Sequence, residues 1–297
     1  MDLLSIDNLS DDQIATILDE GDRWFEENRS TGQRSRDFEG RTVFNLFYEN
    51  STRTLMSFAA AAHRLGASVI TLPVEQSSVK KGETLEDTAR TLNALRPDVL
   101  VIRHGDNGAP DVVAEIMDCP VINAGDGSNE HPTQALLDAA TIRSHFGRIE
   151  GLTVAICGDV RHSRVAHSNA LLLPRLGATV RLAGPPMLMP DDLLPPLSVD
   201  EAIAGADAVM MLRVQRERLA EDLGDAPGEY LERYGLTTER LATAAPDAVV
   251  MHPGPMNRGV EIDGAIADDP TRSLIALQVE YGLAIRMACL KLAAGRL

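Results

Sequence analysis

The sequence predicts an α/β protein built from two domains, each holding a parallel sheet flanked by helices. Three observations predict it. Short apolar runs rich in β-branched residues alternate with amphipathic segments along nearly the whole chain. Those runs are continuously apolar, the pattern of strands covered on both faces. The chain has 297 residues, more than one core usually serves, and a fresh strand–helix series begins at Gly151.

The elements follow in order. Ser10 precedes an amphipathic stretch carrying Ile14, Ile17, Leu18, Trp24 and Phe25, which reads as an opening helix over residues 10–28. Strands are expected at Thr42–Tyr48, Ser68–Leu72, Val99–Arg103 and Val121–Asn123, then at Thr153–Cys157, Thr179–Ala183, Ala208–Arg213 and Ala248–His252. Helices are expected at Thr52–Leu65, Thr84–Leu95, Pro132–Phe146, Arg164–Leu176 and Thr238–Ala244. A long apolar helix over Thr271–Ala294 closes the chain and can cross back onto the first domain. The break falls near Pro132, giving domains of 1–133 and 134–275, with 276–297 packed on the first.

Composition excludes several classes. At 44% apolar and 24% charged the chain is a globular one. A formal charge of −16 argues against nucleic acid and anionic membrane, because both are bound by neutralising phosphates with Lys and Arg. No apolar run approaches a membrane span, and the acidic start Met1-Asp2-Leu3-Leu4 is unlike a signal peptide, so a cytoplasmic location is expected. Cys119, Cys157 and Cys289 lie far apart with no paired spacing, and no metal site is expected. An anionic ligand would have to be drawn in by a local basic cluster against the global field.

Such clusters stand at the ends of strands, where open α/β sheets bind ligands. Ser51-Thr52-Arg53-Thr54 turns a strand into a helix with three hydroxyls and a guanidinium. The first turn of a helix offers unpartnered N–H groups and the positive end of the dipole, Ser51 can cap, and Arg53 can bind two oxygens, so this is a phosphate site. Arg103 and His104 follow another strand. The loop Asn123-Ala124-Gly125-Asp126-Gly127 leads to His131-Pro132-Thr133-Gln134, with Pro132 at a favoured first helical position. A histidine at that end is kept neutral by the dipole and can donate to a carbonyl oxygen. The polar loop Ser77-Ser78-Val79-Lys80-Lys81-Gly82-Glu83-Thr84 carries a basic pair. Gly158-Asp159-Val160-Arg161-His162-Ser163-Arg164 follows a strand but lacks the dinucleotide fingerprint, so a nicotinamide cofactor is not expected. Arg213-Val214-Gln215-Arg216-Glu217-Arg218 concentrates charge after an apolar strand, and His252-Pro253-Gly254-Pro255 is a stiff turn.

Together these motifs resemble, in order and over most of the chain, the aspartate carbamoyltransferase catalytic chains of the aspartate/ornithine carbamoyltransferase family. The resemblance implies two domains, carbamoyl phosphate-binding and aspartate-binding, joined by long helices. It implies a homotrimer with active sites shared between subunits, the neighbour supplying Ser77 and Lys81. The reaction implied is transfer of the carbamoyl group from carbamoyl phosphate to the amine of L-aspartate, giving N-carbamoyl-L-aspartate and phosphate in pyrimidine biosynthesis, with no metal or organic cofactor. Ser51, Thr52, Arg53 and Thr54 would bind phosphate together with Ser77 and Lys81. Thr54, Arg103 and His131 would polarise the carbonyl, and Gln134 would hold the carbamoyl amide. Arg164, Arg213 and Gln215 would bind the aspartate carboxylates, with Gly254 and Pro255 near the amine. Glu49 is expected to pair with Arg164 or Arg218 when the domains close. Regulatory chains or a dihydroorotase are further partners that the resemblance leaves open.

This chain departs from the family pattern at Leu55 and Ala59, where Arg and Glu are frequent, at Asn50 and at Gly254. The nearest rival is an ornithine enzyme, which needs an anionic pocket where this chain offers Arg164, Arg213 and Arg218. The other is a non-catalytic scaffold, against which the full set of Arg53, Lys81, Arg103, His131 and Arg213 weighs.

Overall fold

A computed structural model describes the chain except for residues 33, 75–76, 191–196 and 215–227. The described elements are α1 (Asp11–Ser30), β1 (Thr42–Phe47), α2 (Thr52–Arg64), β2 (Ser68–Leu72), α3 (Leu85–Ala94), β3 (Val99–His104), α4 (Ala109–Ala114), β4 (Val121–Asp126) and α5 (Pro132–Phe146). They continue with β5 (Thr153–Cys157), α6 (Arg164–Arg175), β6 (Thr179–Ala183), α7 (Val199–Ile203), β7 (Ala208–Met211), α8 (Glu229–Tyr234), α9 (Thr238–Leu241), β8 (Val249–Met251), α10 (Gly264–Ala267) and α11 (Ile275–Ala293).

Two compact units result, one of Met1–Ala140 with Val279–Leu297 and one of Thr141–Gln278. The dividing points lie inside α5 and α11, so each of these helices contributes residues to both units.

The first unit carries an all-parallel sheet in the order β2-β1-β3-β4. Strands β1, β3 and β4 are largely buried, which explains their apolar character, whereas the edge strand β2 is mostly exposed: Phe44, Leu46, Leu100, Ile102 and Val121 meet Leu92 and Val113 from the helices and Met117 from the loop after α4. Helix α1 opens with a complete capping box, Gln13 N–H donating to Ser10 Oγ (3.2 Å) and Ser10 N–H donating to Gln13 Oε1 (2.8 Å). It is held to α11 by Phe25 stacked on Tyr281 at 4.2 Å and by Lys291 to Glu20 at 2.5 Å. Helix α11 is apolar around most of its circumference, as a helix enclosed by protein must be.

The second unit repeats the plan, with order β6-β5-β7-β8, again all parallel. Cys157, Val209, Met211 and Val250 on its strands pack with Val199, Ile203, Leu241 and Ile266. In both sheets the first strand of the unit is central and the next two elements pass to opposite sides, creating a switch point between β1 and β3 and another between β5 and β7.

Every expected element is present, most of them with shifted ends. The strand expected at Ala208–Arg213 stops at Met211, leaving Arg213 in irregular chain, and the strand expected at Val121–Asn123 continues to Asp126. The last helix starts at Ile275, not Thr271, because Thr271 N–H and Oγ1 both donate to Asp269 Oδ1 and hold a turn there. Helices α4, α7, α8 and α10 were not expected. No helix among the described residues is long and apolar enough to cross a membrane.

Burial pushes the Cys157 and Cys289 thiols up to about 12 and the half-buried Cys119 thiol up to about 11. All three therefore stay protonated and poorly nucleophilic near neutral pH. Native protein at pH 8 is expected to show no fast-reacting thiol toward a disulfide reagent and three after denaturation; one rapid native thiol would contradict this burial. Because unfolded thiols ionise near 8.5 while these hold their protons, the unfolded state binds fewer protons above about pH 9, and stability falls as pH rises from there.

Candidate active site

The β1–α2 junction is the core of the site in the first unit. Ser51 is extended (φ −154°, ψ 94°) and caps α2, its Oγ accepting from Thr54 N–H at 3.4 Å. Thr54 is buried, whereas Arg53 reaches solvent. Arg53 makes no ion pair among the described residues, and the protein around it lowers its pKa by desolvation alone. A half-desolvated guanidinium beside the open first turn of a helix is an anion site by charge, donor geometry and dipole together.

Arg103 is the penultimate residue of β3, across the switch point from β1. The register pairs it with Phe47, and its carbonyl accepts from Tyr48 N–H at 2.9 Å. Its Nε lies 3.3 Å from Glu49 Oε2, and its Nη1 donates to the Ala124 carbonyl at 3.2 Å. One guanidinium thus ties together the ends of β1, β3 and β4. Glu49 is ion-paired with Arg103 within its own unit, and Arg218, one of the two partners expected for it when the domains close, lies outside the described residues.

Beyond β4 the chain forms a tight loop, Asp126 N–H donating to the Glu130 carbonyl and Asn129 N–H to the Asp126 carbonyl (3.0 and 2.8 Å). Asp126 Oδ1 accepts from Gly108 N–H, and Glu130 Oε2 accepts from Ile6 N–H. This pinned loop delivers His131 to the start of α5, where its carbonyl accepts from the N–H groups of Gln134 and Ala135. His131 and Gln134 are both buried. Thus Ser51–Thr54, Arg103, His131 and Gln134 stand at the carboxyl ends of three adjacent strands. Ser77 and Lys81 do not join them: they follow the edge strand β2, where Ser77 caps a short 3-10 turn over Ser78–Lys81, and among the described residues neither bonds to the Ser51–Thr54 turn.

In the second unit Arg164 is the first residue of α6, capped by Ser163, whose Oγ accepts from Ala166 N–H at 3.2 Å. The preceding loop needs Gly158: its φ is +130°, and a Cβ there would lie 2.8 Å from the Leu212 carbonyl oxygen. This close approach, with Leu212 N–H donating to the Cys157 carbonyl at 2.8 Å, sets the loop bearing Arg164 beside the segment bearing Arg213 at the β5/β7 switch point. Gln215 lies outside the described residues. Gly254 and Pro255 are fixed from below: Gly254 N–H donates to His252 Nδ1 at 2.8 Å, so His252 carries its proton on Nε2, which faces Glu261 Oε1 at 3.3 Å. His252 N–H donates to Gln278 Oε1, and His252 and Glu261 are fully enclosed.

Three residues that sequence reasoning passed over support these groups. Asp138 accepts from Gln134, and Ser57 links the Arg53 and Thr54 carbonyls to Arg286 of α11. The available signal was a charged residue flanked by apolar neighbours, Asp138 within α5 and Arg286 within α11.

The chain is similar to known proteins over nearly its whole length. A family model described as aspartate/ornithine carbamoyltransferase, carbamoyl-P binding domain, matches residues 1–144, and its Asp/Orn binding domain counterpart matches residues 150–293. The aspartate carbamoyltransferase catalytic subunit of Rhizorhabdus wittichii is 56% identical over 97% of this chain and 93% of that protein. The one from Granulibacter bethesdensis is 57% identical, with the same two coverages. Among solved structures, aspartate transcarbamoylase from Trypanosoma cruzi with carbamoyl aspartate and phosphate matches with a TM-score of 0.88 at 34% identity, covering 97% of this chain and 94% of that one. Ornithine carbamoyltransferase from Pyrococcus furiosus gives a TM-score of 0.88 at 29% identity, covering 100% and 97%. The chain belongs to the aspartate/ornithine carbamoyltransferase family.

Proposed function

We propose that the chain is an aspartate carbamoyltransferase. The amine of L-aspartate attacks the carbonyl carbon of carbamoyl phosphate, a C–N bond forms, the C–O bond to phosphate breaks, and the amine proton leaves with the phosphate. The products are N-carbamoyl-L-aspartate and phosphate. The observation that carries this reading is the partly desolvated Arg53, without an ion pair among the described residues, at the open end of α2 next to the strand that carries Arg103.

In this reading Ser51, Thr52, Arg53 and Thr54 bind the phosphate, joined by Ser77 and Lys81 of a neighbouring subunit in a homotrimer. Thr54, Arg103 and His131 donate to the carbonyl oxygen as charge develops on it, the interaction that dominates acyl transfer. Gln134 holds the carbamoyl amide. Arg164, Arg213 and Gln215 bind the carboxylates of aspartate, and Gly254 and Pro255 orient its amine. Residues 1–133 with 276–297, joined by Gln134, serve carbamoyl phosphate and the rest of residues 134–275 serves aspartate, in the cytoplasm. Catalysis is then mainly positioning and charge stabilisation.

Aspartate is favoured over ornithine as acceptor because the second unit presents arginines at its switch point, and a cationic ornithine side chain would meet like charge there. Purified protein with carbamoyl phosphate and either amino acid, assayed for ureido product, tests this. Product from aspartate alone is expected; product from ornithine alone would reverse the assignment of the second unit, and none from either would remove the catalytic reading.

A further inference from the structure

A buried polar relay joins two parts of the proposed carbamoyl phosphate site. Gln134 Nε2 donates to Asp138 Oδ1 at 3.0 Å, one turn along α5, and Asp138 is fully enclosed. Asp138 interacts electrostatically with Arg286, whose Nη1 donates to Ser57 Oγ at 2.6 Å. Ser57 Oγ in turn lies 2.7 Å from the Arg53 carbonyl and 3.0 Å from the Thr54 carbonyl, the backbone of the phosphate turn. Arg286 is enclosed, and burial lowers its pKa only to about 10, so it remains a cation at neutral pH. Room for its guanidinium comes from Gly282: a Cβ there would stand 2.9 Å from Arg286 Nη1.

Asp138 Oδ1 accepts from Gln134 Nε2, and a carboxylate oxygen offers a carboxamide an acceptor, so it takes the NH2 end as its partner. The carboxamide of Gln134 must therefore turn its NH2 end toward Asp138. Its Oε1 is left as the end that meets substrate, an acceptor suited to an NH2 donor and to nothing that a methyl group offers.

We propose that Asp138 and Arg286 are positioning residues that set the selectivity of the site for a carbamoyl over an acetyl group, by locking the orientation of the Gln134 carboxamide. This rests on the reading of Gln134 given above. An amide at 138 can donate as well as accept, so it removes the lock while preserving shape.

The test compares wild-type enzyme with Asp138→Asn, using carbamoyl phosphate as substrate and acetyl phosphate and inorganic phosphate as competitive inhibitors. Asp138→Asn is expected to raise the KM for carbamoyl phosphate about 10-fold or more, the scale of one lost well-placed hydrogen bond. The inhibition constants of acetyl phosphate and phosphate should stay within about 2-fold, so that discrimination collapses. A purely structural role would weaken all three together, and that result overturns the proposal, as does an unchanged ratio. Gly282→Ala provides a variant that touches neither Asp138 nor substrate: alanine is a better helix former than glycine, so folding is retained, while the displaced guanidinium should lower the same ratio. If Gly282→Ala leaves the ratio at the wild-type value, Arg286 has no such role. Failure of the underlying reading would look different, as absence of carbamoyl aspartate from the wild-type enzyme itself.

Discussion

Arg53→Ala is expected to lower kcat/KM for carbamoyl phosphate by roughly 10²- to 10⁴-fold with almost no loss of stability. Two charge-assisted hydrogen bonds to phosphate oxygens are worth about 1.5–3 kcal/mol each, and each 1.4 kcal/mol is tenfold. Stability is spared because Arg53 is exposed and makes no ion pair among the described residues, so its removal strands no partner. Exposed substitutions of this kind stay within about 0.5 kcal/mol. Arg103→Ala is the informative contrast: Arg103 holds Glu49 and the Ala124 carbonyl, so that variant should lose activity and stability together. Steady-state kinetics beside thermal melting checks both. An Arg53→Ala enzyme retaining activity within tenfold would move the phosphate site elsewhere.

That contrast could not be drawn from the sequence, where Arg53 and Arg103 look alike as basic residues after strands. What separates them is register. The pairing of Phe47 with Arg103 brings Glu49 within reach of one guanidinium and leaves the other facing solvent. The parallel sheets themselves were legible because central strands covered on both faces are continuously apolar, as at Thr153–Cys157; the edge strands Ser68–Leu72, mostly exposed, and Thr179–Ala183 also match their observed ends. Helices α4, α7, α8 and α10 span 4 to 6 residues each, too short to display a helical period. One of them did carry a signal: Ser198 and Glu201 form a capping box at α7, and that spacing is readable in the sequence.

The candidate site divides in the same way. Residues at strand ends were found because the α/β plan puts ligands there, and Pro132 marked the start of α5 directly. The groups behind them were not found. Ser57 and Arg286 meet across 229 residues, and nothing local in either segment states the pairing. The candidate site residues stand at strand ends, which topology marks, whereas Ser57 and Arg286 behind them are brought together by packing between distant helices.

Phe58→Ala is expected to cost about 3–5 kcal/mol, the usual range for truncating an enclosed aromatic. Phe58 is fully buried on the face of α2 that looks inward, and the Arg286 guanidinium lies 5.1 Å from its ring centroid. Truncation removes the ring's apolar burial, leaves a cavity, and withdraws a cation–π partner from an already desolvated cation. Phe58→Leu keeps most of the volume and should cost less than about 1.5 kcal/mol. Denaturant titration of both variants gives the two values, and a Phe58→Ala loss no greater than that of Phe58→Leu would mean that this face of α2 is not packed as described. The effect should reach the chemistry as well. Ser57, next to Phe58, bonds the carbonyls of Arg53 and Thr54, so loosening α2 against α11 moves the phosphate turn. Folded Phe58→Ala should therefore show a raised KM for carbamoyl phosphate, whereas the destabilised but correctly placed α2 of Phe58→Leu should not.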